Sequence, residues 1–317
     1  MASCGGQKKE TKNERSSESK NEEIAVTIEP LRYFAEKIAG GNYTFFSIVP
    51  VGRSPETYDP SPREMIRVGR SKAYFHIRQL GLEQVLIKSV QENNTCTQLF
   101  DISEGMNFHR SEGCADVTDH DEAKAYLPDE RIHDTESNHC EDRPDGIKSH
   151  SCNGGHDPHI WTSFAGARIM SENIYKAFAS FDSEKSLHYE ANYLRLMNEL
   201  ELLENTLHEQ LDTLVHRGFV IYHPALTYFA EEFGLIQYSI EENGKEPAPS
   251  SLKKLIEEAR STQVKVVFVQ MEFDRKHAEQ IAAEIGARVV TINPLADKWD
   301  EQMKRIAKAL VTNGEID

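Results

Sequence analysis

The sequence predicts an α/β protein with two lobes, each holding a mostly parallel four-stranded sheet flanked by helices. Two blocks of the chain alternate short β-branched or aromatic runs with helical stretches, a pattern typical of parallel sheets covered on both faces. The length of 317 residues independently indicates about two domains. Helical sequence with apolar residues at three- and four-residue spacings separates the two blocks.

Each block contains four predicted strands. They are residues 24–28, 45–50, 73–77 and 98–102 in the first block and 219–222, 235–240, 266–269 and 289–292 in the second. Predicted helices cover 29–39, begin at 61–62, and in the second block cover 225–233, 251–260, 275–285 and 297–311. Between the blocks, one helix covers 162–181 and a second begins near residue 182.

These elements divide the chain into four parts. We expect a disordered lipoprotein tether over 1–22, an N-terminal lobe over 23–161, a connecting helix over 162–181 and a C-terminal lobe over 182–317. The N-terminal lobe carries a long polar insertion over 105–158, and a structureless loop of this length is usually functional or disordered.

Composition excludes several classes of function. The formal net charge of −16 argues against nucleic-acid binding, which needs clustered lysine and arginine. No apolar run approaches the roughly 20 residues that span a bilayer. A hydrophobic content of 38% is ordinary for a globular protein.

The N-terminus indicates membrane attachment of another kind. Small residues followed by Cys4 and two glycines look like the end of a lipoprotein signal, so Cys4 is the predicted lipidated residue. The alternative is a plain disordered terminus with an incidental cysteine. The other cysteines are compatible with a disulfide in an oxidising compartment, although their pairing cannot be read from sequence. These are Cys96, Cys114, Cys140 and Cys152.

The insertion is rich in histidine and acidic residues, and neutral imidazole is a good ligand for Zn²⁺. We therefore predict auxiliary metal binding by its histidines; a solvated acidic loop with incidental histidines is the alternative. The histidines are His109, His120, His133, His139, His150 and His156.

Four short segments contain the candidate binding residues. Each lies beside a predicted strand or at the end of the insertion. In open α/β sheets, ligands bind outside the carboxyl ends of the strands, so two facing lobes bring these segments together. The segments are 54–60 (SPETYDP), 156–161 (HDPHIW), 222–225 (YHPA) and 292–295 (INPL).

With these segments and their order, the chain from about 24 to 312 resembles the zinc/manganese solute-binding lipoproteins of ABC importers. The landmarks are 54–62 (SPETYDPSP), 157–161 (DPHIW), 222–229 (YHPALTYF), 239–247 (SIEENGKEP) and 293–295 (NPL), together with the His-rich insertion. The resemblance implies two lobes joined by a long helix, a metal in the interlobe cleft and delivery of that metal to a membrane permease.

The resemblance assigns His159 and His223 to family ligand positions. Glu56 stands where the family usually has histidine, and Asn293 stands where it often has aspartate. Two neutral imidazoles with Glu56 give the same single negative charge as three imidazoles with one carboxylate, so the two departures compensate. The predicted metal site is therefore Glu56, His159, His223 and Asn293, with Asn293 orienting a bound water because an amide is a poor zinc ligand.

The predicted function is an extracytoplasmic, periplasmic receptor that captures a divalent transition metal, with Zn²⁺ favoured over Mn²⁺ or Fe²⁺ by imidazole ligands. The expected partners are the permease subunits and, through Cys4, the membrane; we expect a monomer without enzymatic activity. The alternatives are a metal-storage protein or adhesin, and a zinc hydrolase with Glu56 as general base. Against a hydrolase, the chain has no His-Glu-x-x-His motif.

Overall fold

The computed structural model describes residues 22–93, 95–109, 156–241 and 247–315. The first sheet lies in the part of the chain before the insertion. Its elements are β1 (Glu23–Val26), α1 (Glu29–Ala39), β2 (Thr44–Ser47), α2 (Pro62–Val68), β3 (Ala73–His76), α3 (Gly81–Glu92) and β4 (Gln98–Asp101). Its strands are parallel and follow the order β2-β1-β3-β4.

Two consecutive helices carry the chain to the second sheet. They are α4 (Phe164–Phe181), preceded by a 3₁₀ turn at Ile160–Thr162, and the longer α5 (Ser186–Leu211). The elements of the second lobe are β5 (Gly218–Ile221), α6 (Thr227–Glu232), β6 (Ile236–Ser239), α7 (Pro249–Ser261), β7 (Val266–Gln270), α8 (Lys276–Ile285), β8 (Arg288–Ile292) and α9 (Trp299–Val311).

The second sheet repeats the topology of the first, with parallel strands in the order β6-β5-β7-β8. The predicted fold class is therefore confirmed: two parallel four-stranded sheets flanked by helices, with the long helix α5 linking the lobes. The helix α3 lies between strands where the sequence analysis had named no helix. The proposed division at residues 161, 181 and 182 stays a prediction.

The strands at the centre of each sheet are buried on both faces. Every residue of β3, β5 and β7 is buried, whereas β4 and β6 at the sheet edges are partly exposed. Runs of Val, Ile and Phe suit this environment, because helices cover both faces of a parallel sheet.

An aromatic cluster packs the two lobes against each other. The indole of Trp299, which is 1% exposed, lies with its ring centroid 5.3 Å from that of Phe34 and 5.2 Å from that of Phe164. Phe164 in turn contacts Phe233 at 6.0 Å. Side chains of both lobes thus share one apolar core, which fixes the relative position of the two sheets.

Within the described residues, no helix combines the length and the apolar character needed to cross a membrane.

Glu83 is fully buried near the carboxyl ends of β1 and β3. Its carboxylate accepts hydrogen bonds from the Thr27 hydroxyl at 2.5 Å and from the backbone N–H groups of Ile77 at 3.1 Å and Leu80 at 3.3 Å. Burial nevertheless dominates and raises the pKa of Glu83 to about 7. This carboxyl group therefore binds a proton more readily in the folded protein than in the unfolded chain.

His76, at the end of β3, binds a proton less readily in the folded protein than in the unfolded chain. Burial lowers the pKa of His76 to about 4, and its Nδ1 has no hydrogen-bond partner among the described residues. Stability from the neutral imidazole is present above pH 6.5 and is lost as the pH falls towards 4. Stability from protonated Glu83 is present below pH 4.5 and is lost as the pH rises through 7.

Between pH 7 and pH 5 these two contributions oppose each other, each by about 2 kcal/mol. We expect the Glu83→Gln variant to lose about 2 kcal/mol more unfolding free energy than the parent when acidified from pH 7 to pH 5. Denaturant unfolding of metal-free protein at both pH values measures this difference. His76→Gln should change the pH dependence in the opposite direction. An unchanged pH dependence in Glu83→Gln would contradict the raised pKa.

Candidate metal centre

Three predicted ligands meet in the cleft between the lobes. Glu56 lies in the loop that follows β2, His159 immediately precedes the 3₁₀ turn before α4, and His223 follows β5. Side chains from loops far apart in sequence therefore converge because both sheets direct the carboxyl ends of their strands towards the cleft.

The three ligand atoms form a compact triangle. The Nε2 atoms of His159 and His223 are 3.3 Å apart, and Glu56 Oε1 lies 3.1 Å from His223 Nε2 and 3.8 Å from His159 Nε2. Donor atoms at 2.0–2.2 Å from a tetrahedral zinc ion are separated by roughly 3.3–3.6 Å. In the part of the chain that is described, these residues are the one group of three or more potential ligands close enough to share an ion.

A buried carboxylate holds each imidazole from behind. Asp157 Oδ1 lies 2.7 Å from His159 Nδ1 and accepts the His159 backbone N–H at 2.9 Å. Glu241 Oε2 lies 3.1 Å from His223 Nδ1. Such contacts place the hydrogen on Nδ1, leave Nε2 free for a metal and increase its basicity. The sequence analysis named the segment that contains Glu241 without assigning it a role.

The charges of these groups act strongly on one another. Burial lowers the pKa of His223, but hydrogen bonds with Glu241 and Glu56 outweigh burial and raise it to about 10. Burial raises the pKa of Glu56, but the hydrogen bond and charge of His223 and the charge of His159 lower it overall. A cation and a proton therefore compete for His223, so that metal binding must displace the proton.

Close backbone packing fixes the segment that carries His159. The Ser163 side chain caps α4 by accepting the Gly166 N–H at 3.0 Å. A Cβ atom at Gly166 would lie 2.0 Å from the Ile160 carbonyl oxygen, so only glycine allows this approach. The Trp161 indole then reaches across to the second lobe and donates to the Pro294 carbonyl at 3.1 Å.

The loop after β7 holds the segment that carries His223. The Gln270 side chain donates to the His223 carbonyl at 2.6 Å and accepts the His223 N–H at 3.3 Å. The Phe273 ring stacks on the His223 imidazole, with centroids 5.5 Å apart and planes inclined by 23°. These contacts restrict the backbone and the ring of His223, and the sequence analysis had identified neither residue.

Asn293, which was predicted to orient a bound water, does not line the cavity that contains Glu56, His159 and His223, and its role in the site stays a prediction. Its side-chain oxygen accepts the Leu295 backbone N–H at 3.1 Å and so forms a local turn after β8. Glu272, which the sequence analysis had not singled out, lines the cleft cavity together with the three convergent residues. Burial raises the pKa of Glu272, while His223 and His159 act against this increase.

The insertion is described only at its two ends. The His109 carbonyl accepts the Asp157 N–H at 2.9 Å, and His109 Nε2 lies 2.5 Å from Glu231 Oε2 of α6. The Tyr228 hydroxyl accepts the His109 N–H at 3.1 Å and donates to the Asp157 carbonyl at 2.8 Å. Both ends therefore attach to the second lobe.

Several predicted positions lie outside the described residues. The ring of His156 is described and lies 6.0 Å from that of Phe108. Cys96 is exposed and forms no disulfide with another described residue. The remaining positions are outside the described residues. They are Cys4, Cys114, Cys140, Cys152, His120, His133, His139 and His150.

A family model, a similar sequence and two similar structures that match this chain are those of zinc-uptake or zinc-binding proteins. The model described as "ZnuA: Zinc-uptake complex component A periplasmic" matches residues 24–313. The zinc-binding protein AdcA of Streptococcus pyogenes is 22% identical over 285 residues, which cover 89% of this chain but 52% of AdcA. The chain thus spans about half the length of that relative.

Solved structures of ZnuA are similar to this chain in both sequence and fold. A crystal structure of ZnuA is 30% identical, with a TM-score of 0.76, and the match covers 92% of this chain and 98% of that one. A zinc-bound ZnuA with residues 138–173 deleted, in its own numbering, is 29% identical with a TM-score of 0.76 and coverage of 93% and 99%. Since the family model matches nearly the whole chain, this protein belongs to the family of periplasmic metal-binding components of zinc-uptake complexes, which are solute-binding proteins and not enzymes.

Proposed function

We propose that this protein captures a single Zn²⁺ ion between its lobes and delivers it to the permease of an ABC importer. The triangle of His159 Nε2, His223 Nε2 and Glu56 Oε1 is the observation that carries the proposal. Its edges of 3.1, 3.3 and 3.8 Å bracket the donor spacing around a tetrahedral zinc ion.

The size of the cavity favours an ion over a larger solute. Glu56, His159 and His223 line a space of about 10 Å³, which holds about one water molecule. His159 and His223 have side chains only 7% and 12% exposed, whereas Glu56 is 35% exposed at the solvent side. We therefore assign Glu56 to the entrance and the imidazoles to the floor of the site.

The donor types favour zinc. Imidazole is a good ligand for Zn²⁺, whereas a site of oxygen ligands suits Mn²⁺ better. The two carboxylates behind the imidazoles, Asp157 and Glu241, are typical partners of zinc-bound histidine. The zinc-binding relatives described above support the same choice. Iron and manganese remain the competing cargo ions.

The N-terminal sequence supports membrane attachment, and the family supports a permease as the partner. We propose that Cys4 is lipidated outside the cytoplasm and that the following polar residues form a tether. Delivery as a monomer to the permease subunits completes the proposed cycle. A hydrolase is disfavoured because the family consists of solute-binding proteins.

Alanine replacement of either histidine should remove the high-affinity site. We expect His159→Ala and His223→Ala each to weaken zinc binding by more than about 100-fold, since loss of a ligand exceeds the 10–100-fold effect of losing a ligand's hydrogen-bond partner. Competition titration with a zinc chelator measures the Kd and the stoichiometry. His277→Ala, on the surface of α8, is the matched control. Retention of one tight site in both ligand variants would refute the proposed function.

The carboxylate behind His223 should tune affinity without being a ligand. Glu241→Gln keeps the shape of the side chain but removes the negative charge, and we expect about 10–100-fold weaker zinc binding. The exposed Glu190→Gln on α5 should bind zinc like the parent. Thermal unfolding of the metal-free variants separates this effect from misfolding. Equal affinities for the two variants would show that Glu241 does not support the site.

Removal of the insertion should leave the cleft site intact. Because the Asp157 N–H bonds to the His109 carbonyl at 2.9 Å, a short glycine-serine linker can replace residues 110–155. We expect isothermal titration to show one tight site with its Kd changed by less than about threefold, and the loss of weaker additional sites. Loss of the tight site would mean that the insertion supplies a ligand to the cleft.

A further inference from the structure

We infer that Glu272 is the fourth ligand of the bound divalent cation, so that the complete site contains two imidazoles and two carboxylates. This inference rests on the proposed function, because it adds a ligand to the same cation. Glu272 belongs to none of the sequence segments that predicted the site. Its position in the sheet, in the cavity and relative to the neighbouring charges supports the assignment.

The strand order places Glu272 at the point where ligands bind in open parallel sheets. From β5 the chain first adds β6 on one side and then β7 on the other, so the switch in direction lies between β5 and β7. His223 lies two residues beyond the end of β5, and Glu272 lies two residues beyond the end of β7. A crevice forms where neighbouring loops diverge at such a switch point.

Contacts on both sides of Glu272 hold its loop against His223. Gln270 exchanges two hydrogen bonds with the His223 backbone, and Phe273 stacks on the His223 ring. Between them, Glu272 lines the same cavity as Glu56, His159 and His223. Its carboxylate lies outside the triangle of atoms within 4.8 Å, so a side-chain rotation must bring it to the cation.

Asn293 is less suited to this role than Glu272. Its side-chain oxygen already accepts the Leu295 N–H at 3.1 Å. The cavity is lined by the two residues that follow Asn293, Pro294 and Leu295, and not by Asn293 itself. An uncharged amide would also add no negative charge. A carboxylate on the neighbouring loop therefore replaces the acidic ligand that the family often has at position 293.

The charge of the site fits a divalent ion. Within the described part of the chain, neither Glu56 nor Glu272 forms an ion pair with lysine or arginine, and the Glu56 carboxylate lies within 4 Å of both imidazoles. A buried charge is costly unless it is paired. The ligands alone, two carboxylates and two neutral imidazoles, balance the charge of one M²⁺ ion, and Asp157 and Glu241 behind the imidazoles add further negative charge that favours a cation. Carboxylate oxygens also extend the range of the site towards Mn²⁺.

The test compares Glu272→Gln with one control in the full chain. The control is Glu257→Gln, an exposed residue on α7. Chelator competition measures Kd for Zn²⁺ and Mn²⁺ separately. We expect Glu272→Gln to weaken Zn²⁺ binding by at least about tenfold and Mn²⁺ binding by a larger factor, because Mn²⁺ depends more on oxygen ligands. The control should stay within about threefold of the parent.

A crystal structure of the zinc complex gives a second readout that does not depend on affinity. It should place a Glu272 oxygen about 2.0–2.2 Å from the ion. Parental affinities for both metals in Glu272→Gln, or a zinc complex with Glu272 turned away, would overturn the inference. The proposed function would survive that result if His159→Ala still abolished tight binding. If His159→Ala and His223→Ala both bound zinc like the parent, the proposed function itself would fail.

Discussion

The structure depends on holding two imidazole nitrogens from different loops 3.3 Å apart. Each lobe supplies only part of the triangle, so the distance is maintained by the packing between lobes. The Trp161 indole donates to the Pro294 carbonyl, and the Trp299 indole donates to the Trp161 carbonyl at 2.5 Å. These contacts between the lobes therefore set the distance between the two ring nitrogens.

The residues around the triangle all restrict the position of His159 or His223. Asp157 and Glu241 bind the far nitrogens of the imidazoles, while Gln270 and the 3₁₀ turn fix the backbones that carry them. These contacts come from residues adjacent to the ligands in space and only partly in sequence. The fold therefore places many hydrogen-bond partners at the carboxyl ends of the strands. The two sheets are rigid supports for the loops that carry the candidate metal-binding residues.

The sequence was sufficient to predict the two sheets and the three residues that converge in the cleft, whose role as ligands stays a prediction. Because β-branched runs between helices are a strong local signal, seven of the eight strands lie within two residues of their predicted ends, whereas β2 ends three residues early. Extra residues were assigned to β2 because Ile48 and Val49 are apolar and buried, although they belong to the following loop. Glu56, His159 and His223 were found through short motifs with strand-end positions.

The other residues around the site could not be predicted, because their positions depend on contacts between distant parts of the chain. The segment 270–273 (QMEF) carries no motif, and its proximity to His223 arises only from the pairing of β5 with β7. Glu241 gained a role once β6 placed it beside the imidazole ring. Asn293 was predicted from its place in the NPL segment, but the direction of its side chain is set by a turn that the sequence did not reveal.

The hydrogen bonds that join His109, Asp157 and Tyr228 affect how easily the length of the insertion can change. The backbones of His109 and Asp157 are hydrogen-bonded to each other, so the two ends of the insertion lie at one place beside α6. The entropy of closing a loop grows slowly, by about 0.6 kcal/mol for each doubling of length. A longer or shorter sequence between these ends can therefore be accommodated at a small entropic cost, while His109 and Asp157 keep the two attachment points together.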